Sequence, residues 1–316
     1  METQKKSNGA RWFWGIFISL IVFAIIFCGL AFLYFASVIA KSGGSSYEYE
    51  TVRKGNEKIA IVNLDFTILT SESIIRQFRR YRDDKSIKAI ILRVNTPGGG
   101  VAASQEMYEE VKRTRDAGKP VIVSIESIGA SGGYYVSCGG NIIIANPGSI
   151  VGSIGVIMQY MSVKELIEKL GIKQTTIKSG ELKDAGSPFR DVNQKDIEYF
   201  QEIINDSYDQ FLEVVSKERK ISLETLKPIA NGRVFTGKQA KNLKLIDSLG
   251  TFEDAVKIAA SIAGINGEPT LVKEKLHRGF LELFFESLSN SGINKLKNEL
   301  EESYLKLPIL QYKFEK

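Results

Sequence analysis

The 316-residue chain has a single histidine, His277. That scarcity excludes a histidine base anywhere before residue 277 and argues against a histidine-rich metal site. Cysteine is nearly as rare. Cys28 lies in an apolar N-terminal run and Cys138 far from it, so no disulfide framework is indicated. The formal net charge of +5 comes from scattered Lys and Arg without an aromatic-interleaved basic stripe, which is a poor footprint for nucleic acid. No internal repeat at solenoid periods is present.

Charge is missing altogether from Trp12 to Ala40, an almost wholly apolar run flanked by Lys5, Lys6 and Arg11. A helix of about 20 residues crosses a bilayer, whereas a secretory h-region is about 7–15 residues long. Val38-Ile39-Ala40 loosely resembles a cleavage site, but the length of the run and the aromatics at its start favour an uncleaved anchor. The expected organisation is therefore a cytoplasmic N-terminus at 1–11, a transmembrane helix at 12–40 and a linker at 41–57. The basic flank places the remainder outside the cytoplasm.

The globular part, 58–263, opens with a strand at 58–64. A helix at 72–82, a strand at 88–94, a helix at 102–117 and a strand at 120–125 follow. A short helix to 138 and a strand at 141–145 complete this half. This alternation predicts an α/β fold of stacked βαβ units, with strands covered on both faces. Further along, Ser162-x-x-Glu165 and Thr236-x-x-Gln239 read as capping boxes, 173–178 as a strand, and 193–219 as a long amphipathic helix. Its stripe from Ile197 to Val215 is expected to pack in the core. The segment 264–316 reads as a helical extension, charged from about Gly279. Its end at 305–316 is either peripheral or a substrate-like segment.

Three loops follow strands and carry small residues, and in a parallel sheet such loops gather at one edge. In Gly129-Ala130-Ser131-Gly132-Gly133, Ser131 fits a nucleophile elbow and equally a helix cap. Pro97-Gly98-Gly99-Gly100 offers unobstructed backbone N–H groups for an oxyanion hole, or is a tight turn. With histidine excluded, a serine nucleophile needs another base, and lysine serves when burial moves it toward neutrality. Lys183, between Gly180 and Gly186, is either that base or a solvated loop lysine.

Five stretches resemble, in order, the signal peptide peptidase A family of serine proteases in its short bacterial form. They are Asn95–Val101, Gly129–Tyr134, Ile150–Gly155, Ser179–Asp184 with Ser187-Pro188, and Gly232–Gly250. The resemblance covers roughly residues 58–263. It implies a Clp protease/crotonase-like fold, with Ser131 as nucleophile and Lys183 as general base. It further implies that Ser153 orients the lysine and that Gly99 and Gly132 are the oxyanion donors. No cofactor is called for. The implied substrates are remnant signal peptides and other apolar peptides, which the apolar Ile125, Ile128, Tyr134 and Tyr135 near the site would suit. The family also implies a ring-shaped homo-oligomer in which serine and lysine meet across a subunit boundary. Two competing readings are a crotonase-like acyl-CoA enzyme and a non-catalytic membrane scaffold. The first lacks access to coenzyme A outside the cytoplasm, and the second leaves the presence of both Ser131 and Lys183 unused.

Overall fold

The computed structural model of the protein describes residues 9–42, 49–275 and 311–313. The linker core at 43–48, His277 and the charged tail lie outside the described residues, apart from 311–313. The first element, α1 (Gly9–Ser42), belongs to a separate unit from all the others. Its segment Ile16–Tyr34 has a mean hydropathy of 3.0 and no buried residues, so it is long and apolar enough to cross a membrane.

The second unit is a mixed α/β sheet. Its first half comprises β1 (Tyr49–Arg53), β2 (Lys58–Leu64), α2 (Glu72–Asp83), β3 (Ile87–Thr96), β4 (Gly98–Gly100), α3 (Val101–Asp116), β5 (Val121–Ala130) and α4 (Gly132–Ser137). Then come β6 (Ile142–Ala145), β7 (Ile150–Gly152), α5 (Lys164–Lys169), a 3₁₀ turn at Glu181–Asp184 and α6 (Gln194–Arg219). The chain continues through α7 (Leu223–Leu226), β8 (Val234–Thr236), α8 (Gly237–Asn242), β9 (Ser248–Leu249), α9 (Phe252–Ile262), β10 (Thr270–Glu274) and β11 (Gln311–Lys313).

The main sheet runs β1-β10-β2-β3-β5-β6-β9, with β7 pairing the far end of β5 and β8 pairing β7. All central pairings are parallel; β1 on the edge and β8 are antiparallel to their neighbours. The sheet therefore takes in strands on either side of 58–263. Alternation along each strand feeds two cores. Ala60, Val62 and Leu64 join Phe78, Tyr81, Val111 and Phe211 on one face. Ile59 and Ile61 join Ile91, Ile122 and the α9 residues Ala255, Val256 and Ala259 on the other. Each fully buried Ile or Phe is worth roughly 1.5–3 kcal/mol over an exposed one, so the strands carrying the site rest on a rigid base.

Three expectations fail between 157 and 215. Residues 173–178 form no strand and are exposed throughout. Their β-branched composition suits a strand, but no sheet edge is paired with them. Helix α5 starts after Val163, with no side-chain cap from Ser162. In α6 only the C-terminal half packs in the core: Phe211, Leu212 and Val215 are buried, whereas Ile197 is exposed and Phe200 and Ile204 are half-buried. The Thr236–Gln239 capping box forms, and similar boxes at Asn193–Asp196 and Thr251–Asp254 start α6 and α9.

Candidate active site

Strand β5 ends at Ala130, and the chain turns into α4 at one residue. Ser131 takes φ 52° and ψ −118°, a conformation that a residue with a Cβ adopts only when its surroundings hold it there. Two backbone bonds do so. The Ser131 N–H donates to Gly152 O at 2.7 Å, and its carbonyl accepts from Tyr135 N–H at 2.9 Å, opening α4. The side chain does not cap the helix. Its Oγ is buried and has no hydrogen-bond partner. A buried polar group left unpaired costs about 1–3 kcal/mol, which a hydrogen bond to a ligand would offset. Cys138 offers no rival nucleophile, because burial pushes its thiol up to about 12.

The glycine loop is a short strand. Gly98 O accepts from Ile68 N–H at 2.8 Å and Gly100 N–H donates to Ile68 O at 2.7 Å. Strand alternation then turns the Gly99 N–H to the opposite edge. Thr96 fixes the approach, its hydroxyl donating to Phe66 O at 2.5 Å and accepting from Gly98 N–H at 3.2 Å. No side chain fits at Gly99: a Cβ there would lie 2.0 Å from Ile68 O. Gly132 is the first residue of α4, so its N–H has no partner within the helix. Along the opposite edge of β4 lies β11, antiparallel, with Tyr312 opposite Gly99. The tail thus returns to this loop at 311–313.

Ser153 leaves β7 as Ser131 leaves β5. It also has φ 52°, and its N–H donates to Arg233 O at 2.9 Å. Ser153 borders a cleft of about 510 Å³ lined by Gly155, Ile157, Gln159, Ile204, Tyr208 and Asn231, among others.

Lys183 stands apart. It is exposed, on the 3₁₀ turn Glu181–Asp184, and among the described residues no hydrogen bond or ion pair holds its ammonium. The structure thus assembles Ser131, Gly132, Gly99 and Ser153 at one edge of the sheet, and within a single chain leaves Lys183 unbonded to any of them. The turn itself is tightly held. Lys178 Nζ donates to Glu181 O at 2.7 Å and to Asp184 Oδ1 at 2.6 Å. Arg190 donates to Asp184 at 3.1 Å and to both oxygens of Asp196, at 2.5 and 2.9 Å. Hydrogen bonds from Lys178 and Arg190 hold the Asp184 carboxyl below the usual range, and the bond from Arg190 does the same for Asp196. The Asn193-x-x-Asp196 cap is the one local sign of this network in the sequence.

One expectation about the surroundings is corrected. Ile125, Tyr134 and Tyr135 are fully buried, and the two tyrosine hydroxyls donate to Leu245 O and Gln105 Oε1. They support the turn from beneath and line no substrate pocket.

A parallel sheet with a buried, unpartnered serine at a strand-to-helix turn has the design of a serine hydrolase. Comparison with known proteins narrows the class. Residues 113–266, which include Ser131, Ser153 and Lys183, match the model of peptidase family S49. A Synechocystis sp. protein provisionally named a protease is 39% identical over 212 residues, 66% of this chain and 76% of that one. An Enterococcus faecium protein provisionally named signal peptide peptidase SppA is 34% identical over 229 residues, 68% of this chain and 67% of that one. Protease 4 of Haemophilus influenzae is 37% identical over 220 residues, 65% of this chain but only 35% of the longer relative. The chain belongs to peptidase family S49, and it is a serine protease.

Proposed function

We propose that this protein is a membrane-anchored endopeptidase that cleaves remnant signal peptides and other apolar peptides through a dyad of Ser131 and Lys183. The observation that carries the reading is the buried, unpartnered Ser131 Oγ at the strained turn from β5 into α4. In this mechanism Lys183 takes the serine proton as Oγ attacks the scissile carbonyl. The new oxyanion rests on the Gly99 and Gly132 N–H groups, each worth about 3–4 kcal/mol by analogy with measured donors. Lys183 returns the proton to the leaving amine, then activates the water that hydrolyses the acyl-enzyme. Ser153 orients the amine. An extended substrate along the outer edge of β4 would take the place that β11 takes here.

The lysine is supplied by a neighbouring copy in a ring-shaped homo-oligomer with a Clp/crotonase-like protomer. Two features support this. Among the described residues Lys183 has no side-chain partner, and the segment around it exposes Met161, Leu170, Ile172, Ile177, Leu182 and Phe189. Burying such side chains between copies stabilises an assembly, and seating a lysine beside Ser131 removes it from water. Residues 12–40 form the anchor, with 1–11 in the cytoplasm and the body of the chain outside, placed to meet apolar helices as they leave the bilayer. The charge-free run 12–40 within α1 and its basic N-terminal flank support that orientation.

A fluorophosphonate probe tests the nucleophile. Labelling of the full-length protein should map to Ser131 and stop hydrolysis of an apolar fluorogenic peptide in step with labelling. Stoichiometric labelling at another residue, or hydrolysis that survives labelling, would refute the assignment.

A further inference from the structure

Resting on the dyad reading above, we propose that Arg190 and Asp184 are positioning residues: their ion pair fixes the turn that carries Lys183 and sets the charge beside it. The geometry is a network of four carboxylates and four cations on and beside the turn that carries one exposed lysine. Arg190 is anchored by two hydrogen bonds to Asp196, whose side chain is 1% exposed and which is itself locked into the capping box of α6 through Asn193. From that fixed point the same guanidinium reaches Asp184, the residue after Lys183. Lys178 closes the other side of the turn, gripping Glu181 O and Asp184. Lys195 of α6 bonds both oxygens of Glu181, and Lys164 of α5 pairs with Asp191. The charged groups around Lys183 therefore cancel pairwise: Lys178 and Arg190 with Asp184 and Asp196, Lys195 with Glu181, Lys164 with Asp191.

The arrangement serves a lysine base in two ways. It gives the 3₁₀ turn a rigid footing on the first turn of a 26-residue helix, so the amine is presented in one place. It also neutralises the carboxylate adjacent in sequence, which would otherwise favour the ammonium over the free amine. Lys178 is unsuited to be the base, because its ammonium is already committed to two acceptors. A planar, two-pronged donor is required to bridge Asp184 and Asp196 together, which is why arginine rather than lysine stands at 190.

The test is the pH profile of kcat for the full-length protein on an apolar peptide, and its signature is a pair of opposite shifts. Arg190→Gln leaves the Asp184 charge less compensated, so the acid limb should move to higher pH by about half a unit or more. Asp184→Asn removes the carboxylate and leaves both cations, so the limb should move to lower pH. Arg190→Lys should restore the wild-type limb while kcat stays several-fold low, and the Asp184→Asn/Arg190→Gln pair should bring the limb back. KM should change little throughout. If Arg190→Gln does not fold, the Asp184→Asn shift alone decides. Loss of activity at all pH values without opposed shifts, in a series where Lys183→Ala is inactive, would overturn the positioning role and spare the dyad. A Lys183→Ala variant with wild-type kcat would overturn the dyad itself.

Discussion

Ser131 and Ser153 occupy equivalent places on adjacent parallel strands. Each follows a paired residue, Ala130 opposite Gly152, and each leaves its strand at φ 52°. The bond from Ser131 N–H to Gly152 O ties the two turns together. One serine is thus offered at the helix start and the other beside the neighbouring cleft, where the amine of a lysine could be held between them. Replacing Ser131 with Ala should lower kcat by at least roughly 10³-fold with the melting temperature unchanged or raised, because an unpaired buried hydroxyl is removed. Ser153→Ala should lower kcat by about 10-fold with little change in KM. Steady-state kinetics beside thermal melting separates the two.

The Gly99 edge gives a sharper steric prediction. A methyl group there collides with the Ile68 carbonyl, so β4 must move and its N–H with it. Gly99→Ala should cost roughly 10²–10³-fold in kcat, the scale of a lost oxyanion donor. Kinetics near wild type would show that the donor lies elsewhere.

How much of this was legible beforehand depended on where each residue's constraint lies. The strand from 58 to 64 is a local apolar run and the helix from 102 to 117 a local helical pattern, and both formed within a residue or two of the expected bounds. The capping box at Thr236 was equally local. The meeting of Ser131 with Ser153 follows from two short motifs at the ends of parallel strands, so it too could be anticipated. Residues 157–200 misled for the opposite reason. Lys173–Lys178 has strand composition and no edge to pair with, and the apolar stripe of α6 runs past the core that would cover it. Arg190 was invisible because its meaning is the distance between two carboxylates from different turns. β11 depends on a tail segment finding a glycine edge over 200 residues earlier in the chain, a relation that no periodicity encodes.

Subunit sharing of the dyad has its own test. When Ser131→Ala and Lys183→Ala chains are co-assembled in equal amounts, each inactive alone, about a quarter of the sites should pair an intact serine with an intact lysine from the neighbour. Activity should recover to that order in the mixture. Mixed assemblies, confirmed by tag co-purification, that stay inactive would show that the two residues come from one chain.

The Asp184 and Asp196 carboxyls sit below their ordinary range in the folded chain, both through hydrogen bonds that include Arg190. A depressed folded pKa means the stabilisation is complete above the unfolded carboxylate range and is lost as pH falls through the folded values. Hydrogen exchange in residues 178–200 should therefore speed up, relative to the central strands, once pH drops below about 4. Exchange in this segment that keeps pace with the central strands across that range would contradict it.

Strand β11 occupies the edge of β4 where an extended peptide would lie. An attached competitor acts at an effective concentration that can reach millimolar. A chain ending at residue 304 should show a KM several-fold lower for peptide substrates, with kcat little changed. Identical kinetics in the truncated and full-length forms would mean that substrate and tail do not share this edge.

The central claim is that a lysine, not a histidine, activates Ser131. It is tested most directly by peptide hydrolysis with the wild-type chain, Ser131→Ala and Lys183→Ala, each in membranes and each checked for assembly size. The account predicts hydrolysis by the wild type and its loss in both variants at unchanged assembly size. Hydrolysis by Lys183→Ala at the wild-type rate would contradict it.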